Sequence, residues 1–202
     1  MLMQTHEARL DALRKELKRQ ELDGFVVPIS DEHVSEYVGA YAQRLAWLTG
    51  FGGSAGSAIV LTNKAAMFVD GRYTVQVRDQ VDGTHYDYCS VPSETMGGWL
   101  ANNAEQGTRI GFDPWLHTAK WVKTVSASLE KSGIHLVPVS GNPIDAVWQD
   151  QPAPSDAQAI VHGEDLAGRN SADKRAEVAD WLADNGLDAV VIPALDSIAW
   201  LL

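Results

Sequence analysis

The chain has 202 residues, 45% hydrophobic and 21% charged, which is room for one large domain or for a domain and part of another. A formal net charge of −11 excludes nucleic acid as an expected partner, because displacing phosphate counterions needs a basic surface. The single cysteine, Cys89, excludes an internal disulfide, no Cys/His spacing suits zinc, and no apolar run is long enough to span a membrane.

The first residues, M-L-M-Q-T-H-E-A-R-L, are polar and acidic where a secretory leader needs an apolar core, so a soluble cytoplasmic protein is expected. Residues 7–20 space Leu10, Leu13 and Leu17 at helical intervals among charges and predict an amphipathic helix. Gly24 lies just beyond it, and F-V-V-P reads as a short buried strand. D-E-H-V-S-E-Y, residues 31–37, is a polar loop or helix start, and a short apolar segment with Trp47 follows. The stretch T-G-F-G-G-S-A-G-S then leads into S-A-I-V-L-T, a two-residue turn at Asn63 and Lys64, and A-A-M-F-V-D-G-R-Y, which together predict a hairpin. Helices are expected over 73–81, 94–103, 117–131 (stopped by Gly133) and 144–148. Strands are expected at T-H-Y-D-Y-C-S, R-I-G-F-D-P and I-H-L-V-P-V. The alternation predicts a layered α/β domain with a mixed sheet flanked by helices.

Residues 149–158, Q-D-Q-P-A-P-S-D-A-Q, read as a linker between a domain over 1–148 and a further unit over 159–202. Beyond it a pattern returns. L-D-G-F-V-V-P (22–28) is matched by L-D-A-V-V-I-P (187–193), each after an amphipathic helix, and L-A-W-L (45–48) by I-A-W-L (198–201). Such a repeat predicts that 159–202 begins a second, related α/β unit with its own strand at 187–193. Ending on W-L-L leaves apolar residues and unsatisfied carbonyls, so the chain is expected to be the front of a longer protein.

Three chemistries are tested by the motifs. The glycines of 50–56 precede a strand, whereas a phosphate cradle needs them between a strand and a helix. G-G-S-A-G matches the letters of a nucleophile elbow, but the elbow also needs strand, turn, helix, so Ser54 reads as a turn residue. No two histidines are spaced for a metal, and His85 and His135 are expected on strands at the edge of the core. The remaining candidate is D-G-R-Y, where Asp70 is expected to cap a following helix and Arg72 to project from a strand end. A guanidinium there can grip a carboxylate or a peptide carbonyl, or form a surface ion pair only.

The segments F-V-V-P-I-S-D-E-H-V-S-E-Y, L-T-G-F-G-G-S-A-G-S-A-I-V-L and A-A-M-F-V-D-G-R-Y closely resemble the N-terminal region of the three-domain Xaa-Pro aminopeptidases (aminopeptidase P). R-I-G-F-D-P, I-D-A-V-W-Q-D-Q-P, A-G-R-N-S-A-D-K-R and L-D-S-I-A-W-L-L extend the likeness in order over nearly the whole chain. The resemblance implies a creatinase/prolidase N-terminal domain of ribonuclease H-like fold, the start of a related second domain, and a C-terminal pita-bread catalytic domain outside this sequence. It implies a parent hydrolase, a metallo-exopeptidase that removes the residue preceding proline, acting through two divalent metal ions, usually manganese, whose ligands lie in the C-terminal domain. No catalytic, cofactor or metal residue is then expected in this chain, which alone should be inactive and in the whole enzyme should shape substrate access and assembly. Its implied partners are a peptide with proline second and the C-terminal domain, with a homodimer allowed. By the same resemblance Arg72 is the substrate-binding candidate, and His33 and Tyr37 are candidates for a substrate-side loop. Where the family often has G-F-D-G-S, Gly52 stands here without the carboxylate. A creatinase-like amidinohydrolase, or a catalytically dead peptide- or protein-binding module, are the alternatives.

Overall fold

A computed structural model describes residues 4–202, which divide into two compact units at the boundary between Ala153 and Pro154. Unit one begins with α1 (His6–Arg19), capped by Thr5, whose Oγ1 accepts from the Ala8 N–H at 3.2 Å. It continues through β1 (Gly24–Pro28), α2 (Arg44–Thr49), β2 (Ser57–Leu61), β3 (Ala65–Val69), α3 (Gln76–Gln80), β4 (Asp87–Ser90) and α4 (Met96–Asn103). The unit is completed by β5 (Arg109–Phe112), α5 (Ala119–Leu129), β6 (His135–Pro138) and α6 (Pro143–Val147).

Six strands form one sheet in the order β4-β3-β2-β1-β5-β6. β2 pairs antiparallel with both β1 and β3, and every other neighbouring pair is parallel, so β2 alone runs against the other five. Alternation along the strands divides the core in two. Phe25, Val27, Ala58, Val60, Met67 and Val69 face α1, α2 and α6, where Leu10, Leu13, Leu17, Leu48 and Ile144 close the layer. Val26, Ile59, Leu61, Ala66 and Phe68 face the layer of Leu100, Trp99 and Leu129 from α4 and α5. The mixed sheet between helical layers is the expected fold.

Because β2 is reversed, its leading glycine loop and the exits of β1 and β3 emerge at one edge of the sheet. Gly50, at φ 81°, ends α2 in the left-handed conformation, its N–H returning to Ala46 O at 2.8 Å. Phe51 then turns inward and is 1% exposed. A Cβ on Gly53 would lie 2.4 Å from the Phe51 ring and 2.8 Å from that of Tyr73, so only glycine lets the backbone pass. A Cβ on Gly52 would meet only the Gln80 side chain at 3.8 Å, ordinary van der Waals contact.

Several elements differ from expectation. The helix expected over 73–81 is only the short α3, because Tyr73 and Thr74 close the preceding turn first, with Tyr73 N–H donating to Asp70 O at 3.0 Å. Asp70 therefore caps no helix: its Oδ1 accepts the Arg72 N–H at 2.9 Å in a turn of its own. His85 sits in the turn before β4, not on a strand, its backbone N–H bonded to Asp82 O at 3.1 Å, while His135 lies on the edge strand β6 and is exposed.

Unit two contains α7 (Glu164–Ala167), α8 (Ser171–Asp184) and α9 (Leu195–Leu201). Residues 187–193 form no strand, since no described segment pairs with them, and Val191 is 88% exposed. Both matched W-L segments are helical, but Trp47 is buried and stacked on Trp148 whereas Trp200 is 54% exposed. The last carbonyls of α9 are not orphaned: Lys174 Nζ donates to Trp200 O at 2.7 Å and Ser171 Oγ to Leu201 O at 2.9 Å.

The close approach at Gly53 sets a first expectation: Gly53→Ala destabilises the chain by about 1–3 kcal/mol through overpacking, and Gly52→Ala changes stability by less than about 0.5 kcal/mol, both read from urea unfolding. A second comes from His117, which packs 4.0 Å from Trp121, centroid to centroid, and whose burial holds its pKa below the ordinary 6.5. A depressed value means the folded state resists protonation, so stability is fully present above the ordinary value and falls as pH drops through it toward the folded one. Urea midpoints measured from pH 7 to about 5 should decline in the wild type and decline less in His117→Gln.

Candidate substrate-access site

The edge where β1 and β3 end and β2 begins gathers three loops: residues 29–38, the glycine loop and D-G-R-Y. In the first, Asp31 is 4% exposed and its Oδ1 accepts the backbone N–H groups of His33 at 3.0 Å and Ser35 at 2.9 Å. Burial opposes the ionised carboxyl, but the donors from Ser35 and His33 outweigh it and lower the Asp31 pKa. The two bonds hold Val34 at φ 55°, a left-handed conformation that a β-branched residue rarely adopts. Beyond it Tyr37 projects to solvent, 91% exposed.

Tyr37 lines a cleft of about 320 Å³ with Ile29, Glu36, Val38, Phe51 and the Gly52–Ser54 backbone. At the end of that wall Ser54 Oγ and Tyr73 OH share a hydrogen bond of 2.8 Å, and the Tyr73 ring meets Phe51 edge-on with centroids 5.7 Å apart. Arg72 Cζ stands 5.2 Å from the centroid of the Tyr73 ring. Asp70 holds the guanidinium through Nε, at 3.1 Å to Oδ1, and Nη2, at 2.8 Å to Oδ2. The hydrogen bond and charge of Arg72 depress the Asp70 pKa, and Asp70 raises that of Arg72 in return. Arg72 thus forms the surface ion pair and yet stays 67% exposed, available to a carbonyl or carboxylate.

Tyr37 and Ser54 line the cleft, whereas neither Arg72 nor His33 is among its lining residues. Arg72 is joined to it only through the Tyr73 ring and the Tyr73–Ser54 hydrogen bond, and His33 Nε2 lies 3.9 Å from Glu32 Oε1. Sequence reasoning missed Asp31, whose signal was an aspartate two residues before a backbone donor, and the Ser54–Tyr73 contact, which joins positions nineteen apart in the chain.

A second polar cluster lies where β5 ends. Arg44 forks onto Asp145 at 2.7 and 2.8 Å, Asp113 accepts from Asn142 at 2.9 Å, and Tyr41 donates to Glu32 at 2.8 Å, raising its pKa to about 12. Each carboxylate is already bonded, so the cluster ties α2 and α6 to the sheet. Among the described residues no three His, Cys, Asp or Glu gather as a metal would require. No described helix is long and apolar enough to cross a membrane.

Residues 9–147 match the family model described as the Creatinase/Prolidase N-terminal domain, and residues 150–202 match a second model of the same description. Among curated relatives, a probable Xaa-Pro aminopeptidase P of Aspergillus flavus is 37% identical over 197 residues, covering 96% of this chain and 30% of the relative. Xaa-Pro aminopeptidase 2 of Rattus norvegicus is 31% identical over 196 residues, covering 96% and 29%. The chain therefore spans about 30% of the length of the curated relatives it matches. Among solved structures, X-prolyl aminopeptidase from Caenorhabditis elegans, described as a cytosolic enzyme with a di-nuclear active site, superposes with a TM-score of 0.85 at 28% identity, over 98% of this chain and 34% of that one. The N-terminal domain of the cytoplasmic peptidase PepQ from Mycobacterium tuberculosis shares the fold, with a TM-score of 0.54 at 23% identity over 69% of this chain and 98% of that one. On the match over 9–147, joined to the reversed β2 and two-layered core described above, this chain belongs to the creatinase/prolidase N-terminal domain family.

Proposed function

We propose that this chain is the non-catalytic N-terminal portion of a cytoplasmic, metal-dependent Xaa-Pro aminopeptidase, where it shapes the peptide's path to the catalytic centre. The observation that carries this reading is the superposition on the C. elegans enzyme over 98% of the chain, with relatives of the same activity at 31–37% identity. The domain plan proposed with it is a creatinase-type domain over 1–148, a linker over 149–158 and the start of a related domain over 159–202. The second family match, over residues 150–202, supports that plan.

The chemistry of this portion is binding. Arg72 is the substrate-side donor: Asp70 takes Nε and Nη2, and the exposed remainder of the fork faces outward to a peptide carbonyl or carboxylate. Tyr37 contributes an aromatic wall to the adjoining cleft. His33 belongs to the same loop and is assigned the outer side of the peptide path.

The two metal ions, manganese in this proposal, activate water in the parent enzyme. The described residues of this chain do not fit such a site, since they gather no ligand set, and no step of the reaction is assigned to them.

In the full-length enzyme Arg72→Ala is expected to raise KM for an Xaa-Pro peptide about tenfold with kcat within about twofold, the pattern of a lost binding contact. Steady-state kinetics with Ala-Pro-Leu measure it, and unchanged KM and kcat would remove Arg72 from the substrate path.

A further inference from the structure

Strands β1 and β5 lie side by side and parallel, but the chain leaves them in opposite directions. From β1 it runs to β2 on one side, and from β5 to β6 on the other. Their carboxyl ends therefore form a topological switch point, where open α/β sheets receive ligands. A cavity of about 450 Å³ opens there, within the range of small-molecule sites. Glu32 lines it from the loop after β1, Asp113 and Trp115 from that after β5, and Asn142 from that after β6. Arg44 and Asp145 close it from α2 and α6. It shares no lining residue with the cleft at Tyr37.

Bonds within the protein hold these walls in place. Ser30 Oγ donates to Leu116 O at 2.8 Å and joins the loops after β1 and β5. Asp113 uses Oδ1 on the Trp115 N–H and Oδ2 on Asn142, both at 2.9 Å. Tyr41 orients Glu32 by donating to Oε1 at 2.8 Å. Two polar groups are left over. Arg44 is 8% exposed, and its Nη1 is buried with no hydrogen-bond partner while Nε and Nη2 hold Asp145. A buried donor of this kind costs free energy until something accepts from it. Glu32 Oε2 accepts from none of the described residues. Beside them Trp115 is 79% exposed and offers a broad apolar face.

This set selects a ligand by charge and shape. Three carboxylates against one guanidinium repel an anion. A bare cation brings no acceptor for Arg44 Nη1. A hydroxyl does both tasks, accepting from a guanidinium and donating to a carboxylate. A pyranose ring carries adjacent hydroxyls and also a flat C–H face that gains by leaving water for an indole. We propose that this cavity binds a monosaccharide unit, its hydroxyls accepting from Arg44 and donating to Glu32 and its C–H face on Trp115. The site is independent of the peptide-binding role of Arg72, and failure of either leaves the other standing.

The test titrates the 15N-labelled 202-residue chain with the methyl β-pyranosides of glucose, galactose and mannose. The Trp115 indole N–H, assigned by its loss in Trp115→Phe, and the Gly141 and Asn142 amides report binding. At least one glycoside should shift them with a Kd on the order of 1 mM, the scale for a ligand of about a dozen heavy atoms. The uronic acid of the sugar that binds should bind at least about fivefold more weakly. The cation 1,4-diaminobutane should leave the signals unmoved. Trp115 is exposed, so Trp115→Ala leaves the core intact and should abolish the shifts at Gly141 and Asn142. Glu32→Gln should weaken binding at least about threefold. Free monosaccharides form a separate arm: glycoside and free sugar bound alike uphold a site for a glycan end, and the free sugar bound alone upholds one for a soluble sugar. No shift from any sugar at about 100 mM, unchanged binding in Trp115→Ala, or diaminobutane or the uronic acid matching the neutral sugar overturns the site.

Discussion

Strand β1 is five residues long, yet both of its edges are paired and both of its faces are covered. Val26 and Val27 point to opposite layers and are each at most 1% exposed. Even Gly24 is held by crowding: a Cβ there would lie 2.7 Å from Leu61, 2.8 Å from Val60 O and 2.9 Å from Ile110. β1 has to meet the reversed β2 on one side and the parallel β5 on the other, and everything at the functional edge follows from that. The 29–38 loop leaves β1 at Pro28, opposite Ser57, where the glycine loop enters β2. Ser57 in turn lies opposite Phe68, two residues before Asp70. A register slip of one residue would exchange the side chains that fill the two layers and scatter the three loops.

Within that edge, stability and function can be separated. An exposed ion pair such as Asp70–Arg72 contributes little to folding, because solvent screens it and two flexible side chains must be ordered. The surrounding contacts nevertheless fix Arg72 closely, through Asp70, the Tyr73 ring and the Ser54 hydroxyl beyond it. Strain at Val34 and the buried Asp31 carboxylate shape the facing loop in the same way. These are costs and constraints concentrated at the edge where the proposed function places the peptide. The Arg44–Asp145 fork shows the other pattern, its Nε and Nη2 turned inside the protein to join α2 and α6.

What could be read in the sequence was what local chemistry decides. Leu10, Leu13 and Leu17 marked α1, Asn63 and Lys64 marked the hairpin, and Gly133, found at φ 61°, marked the stop after α5. The glycine loop was legible as a turn into a strand, but not its purpose, because the rings of Phe51 and Tyr73 that require Gly53 meet only in three dimensions. Asp70 was misread as a helix cap since capping and Asx turns use the same side-chain acceptor, and only the observed partner distinguishes them. The segment 187–193 carries the letters of β1 but not its neighbours. A strand is defined by pairing, so the same apolar run stays unassigned and exposed.

The central claim is that this edge of the sheet, with Arg72 at its tip, receives the peptide. A crystal structure of the full-length protein with a bound, uncleaved Xaa-Pro peptide tests it most directly. A guanidinium nitrogen of Arg72 within hydrogen-bond distance of a peptide oxygen, about 3 Å, is the predicted result. A peptide bound with Arg72 still turned only to Asp70 and the cleft filled by solvent would contradict it.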